Sequence, residues 1–556
     1  MKRLISLILT LTVLLSLAAC TQQPVETEPT QGTTAPTAQM DASGRYVLDE
    51  ARNEAIVSDA GTVDAAVDGN ALLFYHIFVG SFSDSNGDGI GDLRGIINRF
   101  DYLNDGDDNS GLSLGVEGIW LSPIFTSPSY HKYDAADYYE VDPQFGTEED
   151  LKELINLCHE RGVKLILDLV INHSSTRNPW FQEFVKAHKN GDTESEYYDL
   201  YSWSADGESG RTWYPISGTA ELYEGNFSAQ MPELNFDSDH ARQKMVDLAK
   251  YYLDLGVDGF RFDAAKYIYY GETQPNADFW IWYMRELRAI KPDIYTVAEV
   301  WDGDGVTFPY FASTNCFNFS MAQTNGQIAE TARAGDVNTL TSYVDHYLDS
   351  IHQQNPDAMM VTFIANHDTD RAAGFLTVAS GQAYVAANLS ILMPGSTFVY
   401  YGEEIGMKGS RGGSNTDANR RLAMHWGDGD TVTDPVGADY SSGQTNGSVA
   451  EQLANGASLY NHYKKLIMIR KANPEIAYGD FQPLTVPDSK LGGFLSTYNG
   501  STVAVFHNTS LSAVTVDLSQ ITDIPLATIR AWAGMGGATL EGTILTIDGQ
   551  TSVVLK

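Results

Sequence analysis

The sequence predicts an α/β protein: a (β/α)8 TIM barrel with a subdomain inserted after its third strand and a β-sandwich domain at its C-terminal end. Three observations carry this reading. From about residue 71 to residue 406, eight short apolar stretches alternate with amphipathic helical ones, the rhythm of parallel strands joined by crossover helices. Residues 174–238 break that rhythm with a Trp-, Tyr- and Gly-rich segment too long for an ordinary loop. After a helical stretch at 451–474, short alternating runs such as STVAVFHN and ATIRAWAG continue to Lys556, as in a sandwich. The expected boundaries are 44–173 and 239–474 for the barrel, 174–238 for the insert and 475–556 for the tail.

Ahead of the barrel, Met1-Lys2-Arg3 and an apolar run to Ala19 read as a secretory signal too short to remain as a membrane anchor. The run ends in Leu17-Ala18-Ala19-Cys20, which resembles a bacterial lipobox. There the cysteine is lipidated and becomes the new N-terminus. Residues 21–43 begin as a Thr/Pro/Gln-rich tether with nothing to bury. The expectation is an extracellular lipoprotein held at the cell surface through Cys20. The net charge of −37 excludes nucleic acid and anionic membrane surfaces as partners. It suits neutral or cationic ligands and leaves Asp available for calcium. Cys158 and Cys316 fall in apolar patterns and read as core thiols, not as a disulfide. The chain is expected to act as a monomer.

The predicted strands are 71–82, 115–125, 162–173, the stretch beginning at Gly256, 293–301, 315–322, 359–368 and 396–406. Chemistry in such a barrel sits at the strands' C-terminal ends, and charged residues collect there. GVDGFRFDAAKY (256–267) places Arg261 and Asp263 on one face of a strand, because side chains alternate with period two. A guanidinium there keeps the carboxylate ionised, as a nucleophile requires. DLVINH (168–173) ends strand three with Asp168, Asn172 and His173. AEVW adds Glu299 beside Trp301, and ANHD adds His367 and Asp368. Tyr133, in the loop after strand two, offers a flat apolar face with a polar tip, suited to a sugar ring.

Asp263, Glu299 and Asp368 thus converge on one mouth, which is costly without a reason. Retaining glycoside cleavage supplies one. It needs an ionised nucleophile and a protonated acid, roughly 5–5.5 Å apart, with environments that push the two pKa values apart. Separately, DSNGDGIGD (84–92) matches the first half of a calcium-hand loop, with Gly95 where the closing Glu would stand. It reads as a shorter Ca2+ loop of Asp84, Asn86, Asp88, Ile90 and Asp92, closed by Asp92.

With these motifs in order, the chain from 71 to 556 resembles the α-amylase family, glycoside hydrolase family 13. The family's four conserved regions correspond to DLVINH, GFRFDAAKY, AEVW and ANHD. The resemblance implies Asp263 as nucleophile, Glu299 as general acid/base and Asp368 as transition-state stabiliser. It also implies that Arg261 orients the nucleophile, that His173 and His367 bond the sugar at the cleavage point, and that Tyr133 stacks beneath it. Lys266 would reach the leaving-group side. A second calcium would lie between barrel and insert on Asn172, Glu233 and the Tyr267 carbonyl, although in MPELN Glu233 stands where Asp is usual.

Three departures bear on specificity. Tyr130 replaces the Asp that closes the pocket of similar exo-acting α-glucosidases, Ala264 stands where α-1,6-cleaving members usually have Val, and Lys266-Tyr267 resembles the Lys-His pair of starch-cleaving members. The resemblance therefore implies an endo-acting retaining α-amylase on α-1,4-glucans, starch and maltooligosaccharides. The alternatives are a maltooligosaccharide-directed α-glucosidase or glucan transferase, which MPELN and RLAMHW (421–426) also resemble, and a non-catalytic glucan-binding lipoprotein.

Overall fold

The computed structural model describes residues 60–63, 69–410, 417–440 and 446–556, and a backbone pairing of Gln39–Met40 with Tyr46–Val47. The signal sequence, Cys20 and most of the tether lie outside the described residues. Eight parallel strands build the barrel: β1 (Leu73–Ile77), β2 (Gly118–Leu121), β3 (Lys164–Leu169), β4 (Gly259–Phe262), β5 (Tyr295–Ala298), β6 (Asn315–Cys316), β7 (Val361–Phe363) and β8 (Ser396–Tyr400). Their order, β6-β5-β4-β3-β2-β1-β8-β7, is continuous. A parallel bridge between Phe317 and Val361 joins the two ends, so the sheet closes.

These strands are shorter than the apolar stretches that predicted them. Val170 and Ile171, for example, follow β3 and are fully buried although they lie outside the ladder. The turn at a strand's end is itself covered by the next layer, so apolar sequence runs on past the last hydrogen bond.

Burial on both faces explains the near-continuous hydrophobic strands. The inward positions Phe74, Trp120, Ile166, Val297, Phe317, Phe363 and Phe398 form one cluster, with Phe74 stacked on Phe398 at 4.7 Å. The outward positions pack on helices; Phe262 meets Trp280 of helix Thr273–Ile290 at 4.6 Å. On β4 the inward series is Gly259, Arg261, Asp263. A Cβ at Gly259 would fall 1.8 Å from the Tyr295 carbonyl oxygen, so only glycine lets β4 approach β5 this closely.

The helices start and stop where capping chemistry dictates. Helix Glu148–Glu160 opens on a Thr147/Asp150 capping box and buries Leu151, Leu154, Ile155 and Cys158, one face at three-to-four spacing. Helix Asp239–Leu255 opens on Ser238 and ends at Gly256 with φ 108°, as a left-handed cap requires. The helix expected at 451–474 is instead two, Val449–Ala454 and Leu459–Ala472. The Asn455-Gly456 step ends the first, and Ser458 caps the second by accepting from the Asn461 amide. Cys158 and Cys316 are free and buried.

The insert contains helix Pro179–Asn190 and a small antiparallel sheet of 203–204, 222–224 and 213–215. It returns to the barrel through the bridge His173–Glu233, while Tyr201–Leu234 bridges within the insert. The C-terminal segment forms antiparallel sheets of five and three strands around Leu484, Leu491, Phe506, Leu545 and Val553.

Candidate active site

The ends of β2, β3, β4, β5 and β7 meet at a cleft of about 610 Å³, lined among others by Tyr133, His173, Asp263, Lys266, Glu299, Asp368 and Arg421. Arg261, projecting inward from β4, is wholly buried. Its Nη1 donates to Asp263 Oδ1 at 2.6 Å and to Asp168 Oδ1 at 2.8 Å, while Nη2 lies 2.9 Å from Glu299 Oε2. One guanidinium therefore faces three carboxyl groups. Burial disfavours their charged forms. It pushes Glu299 up to about 7 against the pull of Arg261, with Asp263 and Asp368 adding to the rise. It likewise pushes Asp168 up to about 8.

Backbone shape also serves Glu299. Ala264, directly after Asp263, is left-handed at φ 47°, ψ 39°, and its amide donates to Glu299 Oε2 at 3.0 Å. The Ala265 amide donates to the Glu299 carbonyl. The turn following the strand thus fixes both ends of the neighbouring residue.

Asp368 is treated oppositely. Burial opposes its charge, but His367 and Arg421 overcome it and hold the carboxyl well below the ordinary carboxylate range. Arg421 Nη2 donates to Asp368 Oδ1 at 2.8 Å, and His367 Nε2 lies 3.0 Å from Oδ2. Arg421 Nε also donates to the His367 carbonyl and Nη1 to the Tyr130 hydroxyl.

Tyr133 donates to Asp168 Oδ2 at 2.9 Å and meets His367 Nε2 at 2.5 Å, its ring parallel to the imidazole. Burial lowers the pKa of both His173 and His367. His173 Nε2 is buried without a hydrogen-bond partner at the cleft wall, ready for a hydroxyl. Lys266 is held by the Trp301 carbonyl at 2.7 Å and Asp302 at 3.0 Å, and Trp301 stacks on Phe319. The predicted catalytic and sugar-facing residues are therefore gathered at one site. The reading of the sequence assigned no role to Arg421. It lies far along the chain from Asp368 and only tertiary folding pairs them, so no local spacing marks it.

The acidic loop at 84–92 is shaped by its own side chains. Asp84 accepts from the amides of Asn86, Gly87 and Gly89, Asn86 from Asp88, Asp88 from Ile90, and Asp92 from Ser85 and Gly95. Asn172 donates Nδ2 to Glu233 and leaves Oδ1 buried without a hydrogen bond. The Tyr267 ring stands 5.1 Å from Phe227. Among the described residues no three His, Cys, Asp or Glu side chains gather to hold a metal. A cage at either place must draw on amide and main-chain oxygens as well, and the donor set suits a hard cation.

Residues 76–479 match the family described as "Alpha amylase, catalytic domain". The chain belongs to the α-amylase family. Alpha-amylase 3 of Dictyoglomus thermophilum is 33% identical over 447 residues, covering 78% of this chain and 84% of that protein. The 4-alpha-glucanotransferase of Thermotoga neapolitana is 30% identical, covering 79% and 96%. The crystal structure of an α-amylase from H. orenii superposes with a TM-score of 0.77 at 34% identity, covering 88% and 99%. As a member of the α-amylase family, this chain is a glycoside hydrolase or transglycosylase acting on α-glucans.

A raised Glu299 pKa has a definite sign for activity. The acid is proton-loaded below about 7 and empty above it, so kcat/KM on a chromogenic maltooligosaccharide should fall as pH rises through about 7. A basic limb near the pKa of an ordinary glutamate, about 4.3, would contradict the assignment of that proton to Glu299.

Proposed function

We propose that this chain is an endo-acting, retaining α-amylase that hydrolyses α-1,4 bonds of starch and maltooligosaccharides. One observation carries the reading: adjacent nitrogens of Arg261 face Asp263 and Glu299, while burial leaves Glu299 with the proton. Asp263 Oδ attacks the anomeric carbon as the glycosidic C–O bond breaks, and Glu299 gives its proton to the departing oxygen. In the second step Glu299 takes a proton from water. The water oxygen bonds the anomeric carbon, and Asp263 departs as carboxylate. Asp368, held ionised, favours positive charge on the sugar ring at the transition state. Arg261 orients Asp263, His173 and His367 bond the sugar hydroxyls, Tyr133 supports the ring, and Lys266 faces the leaving group.

Endo-action is supported by Tyr130. Its hydroxyl accepts from Arg421 where similar exo-acting glucosidases would place a carboxylate, so no acidic side chain from that position caps the pocket. A second reading, glucan transfer, is favoured by exposed Trp301 and Phe227 on the cleft, surfaces on which an acceptor sugar could replace water. Soluble starch followed by iodine colour and by reducing ends separates the readings. Rapid colour loss at few reducing ends, with maltose and isomaltose left intact, is expected; products longer than a maltooligosaccharide substrate would favour transfer. Glu299→Gln should lower turnover by roughly 10³-fold or more, and full activity in that variant would falsify its role.

We also propose a Ca2+ in the 84–92 loop, on Asp84, Asn86, Asp88, the Ile90 carbonyl and Asp92, and another on Asn172, Glu233 and the Tyr267 carbonyl. The alternating oxygen donors support the first and the unpartnered Asn172 Oδ1 supports the second. Chelation should lower the melting temperature by about 5 °C, with recovery on adding calcium. Asp88→Ala and Asn172→Ala should each lose part of that response.

We propose further that Cys20 carries a lipid that keeps the enzyme at the cell surface, supported by the lipobox-like sequence. In the producing cell, Cys20→Ala should move activity from the membrane fraction to the medium. Unchanged membrane retention would remove the anchor.

A further inference from the structure

Arg421, the cation on Asp368, opens a segment that runs along the outside of the site to Asp434. This segment is laced onto residues 81–89, the chain that leaves β1. At its start, Ser81 Oγ donates to the Arg421 carbonyl at 2.7 Å, and the Met424 amide donates back to the Ser81 carbonyl at 2.8 Å. In its middle, Trp426 Nε1 donates to the Phe82 carbonyl at 2.6 Å. At its end, Asp430 accepts from Ser83 Oγ at 2.6 Å and from the Asp84 amide at 3.2 Å. Thr431 donates to Asp84 Oδ2, and Thr433 bonds the Gly89 carbonyl through both amide and hydroxyl.

Arg99 locks this lacing. Its guanidinium lies 4.2 Å over the Trp426 ring. It bonds Asp428 through both Nη atoms and Asp430 Oδ2 at 2.9 Å. The Asp428 and Asp430 side chains are 7% and 4% exposed, so this is a nearly dry ion cluster. A buried cluster of this kind is strongly weakened by removal of one member. Nothing in it touches the cleft, and the chemistry proposed above does not use it.

We propose that residues 421–434 act as a strap, registered by Arg99 and Asp430 against residues 81–89, that holds Arg421 in place on Asp368. Arg99 and Asp430 are then positioning residues for a catalytic carboxylate that neither touches. The inference rests on the glycosidase reading above. It uses a different limb of the pH profile from Glu299, so the two fail separately.

The groups facing Asp368 are His367 beside it, Arg421, Arg261 and Glu299, with the hydroxyls of Tyr133 and Tyr130 and the ring of His76 nearby. Arg261 and His367 stay when the strap slackens; Arg421 leaves. The Asp368 carboxyl then rises toward its ordinary pKa, and the acid limb of kcat/KM moves to higher pH. The basic limb set by Glu299 stays.

The test is a set of pH profiles of kcat and KM on a chromogenic maltooligosaccharide for wild type, Asp430→Ala, Ser83→Ala, Arg421→Lys and the Asp430→Ala/Arg421→Lys pair. Asp430→Ala should lose up to about 10²-fold in kcat/KM, shift the acid limb upward and leave the basic limb in place. Ser83→Ala, which removes a hydroxyl that donates to Asp430 and accepts from Arg99 Nε but leaves the Arg99–Asp428–Asp430 ion pairs in place, should move the same limb less. The double variant should be little worse than Arg421→Lys alone, because both changes act through one contact. An unmoved acid limb in both Asp430→Ala and Ser83→Ala, or additive losses in the double variant, would overturn the proposal. If Asp430→Ala fails to fold, Ser83→Ala and the pair Ser83→Ala/Arg421→Lys give the same readout.

Discussion

Everything at the cleft depends on one guanidinium. Arg261 is fully buried at the centre of the barrel mouth and faces Asp168, Asp263 and Glu299 together. A single positive charge in a low-dielectric site cannot hold three negative ones. Burial first, and the neighbouring carboxylates second, push Asp168 up to about 8 and Glu299 up to about 7 against its pull. The carboxyl oxygen nearest Arg261 is Asp263 Oδ1, at 2.6 Å. Burial is the larger cause of the rise at Glu299, and the pull of Arg261 offsets only part of it. Asp368 escapes the competition because it has its own arginine, Arg421.

This dependence explains why the fold brings Arg261 up on β4. Gly259, two residues earlier on the same face, removes a side chain that would collide with the Tyr295 carbonyl. β4 and β5 can then pair in the register Arg261–Val297 and Phe262–Ala298. That register sets Asp263 and Glu299 side by side at the ends of adjacent strands. Trp120 stands 5.2 Å from the Arg261 guanidinium and His76 stacks on Trp120 at 3.4 Å, so the floor beneath the charges is aromatic and dry.

Much of this was legible in the sequence because it is local. Strand periodicity reveals the barrel, and Asp263, Glu299 and Asp368 each lie within a few residues of their strand's end. Arg261 and Asp263 share a face by simple alternation. What was not legible is what folding brings together from afar. The pairing of Arg421 with Asp368, the bond from Tyr133 to Asp168 and the lacing of 421–434 onto 81–89 have no sequence period. The stretch 451–474 reads as one helix because both of its halves carry apolar residues, yet it folds as two. The Asn455-Gly456 step outweighs that pattern once Ser458 is available to start a new helix. The apolar stretches outrun the strands because buried turns carry the same residues as buried strands.

The left-handed turn at Ala264 has a consequence for how this site can diverge. A non-glycine residue in that conformation costs roughly 1–2 kcal/mol, and a β-branched one is more crowded still. The position is also one where α-1,6-cleaving members are expected, from the resemblance, to carry Val. Its amide meanwhile bonds Glu299. On the reading proposed above, linkage preference and the contact with Glu299 meet in one peptide unit. A lineage altering the first inherits a disturbance in the second, so a change of bond specificity here calls for compensation around Glu299 and is not a one-step substitution.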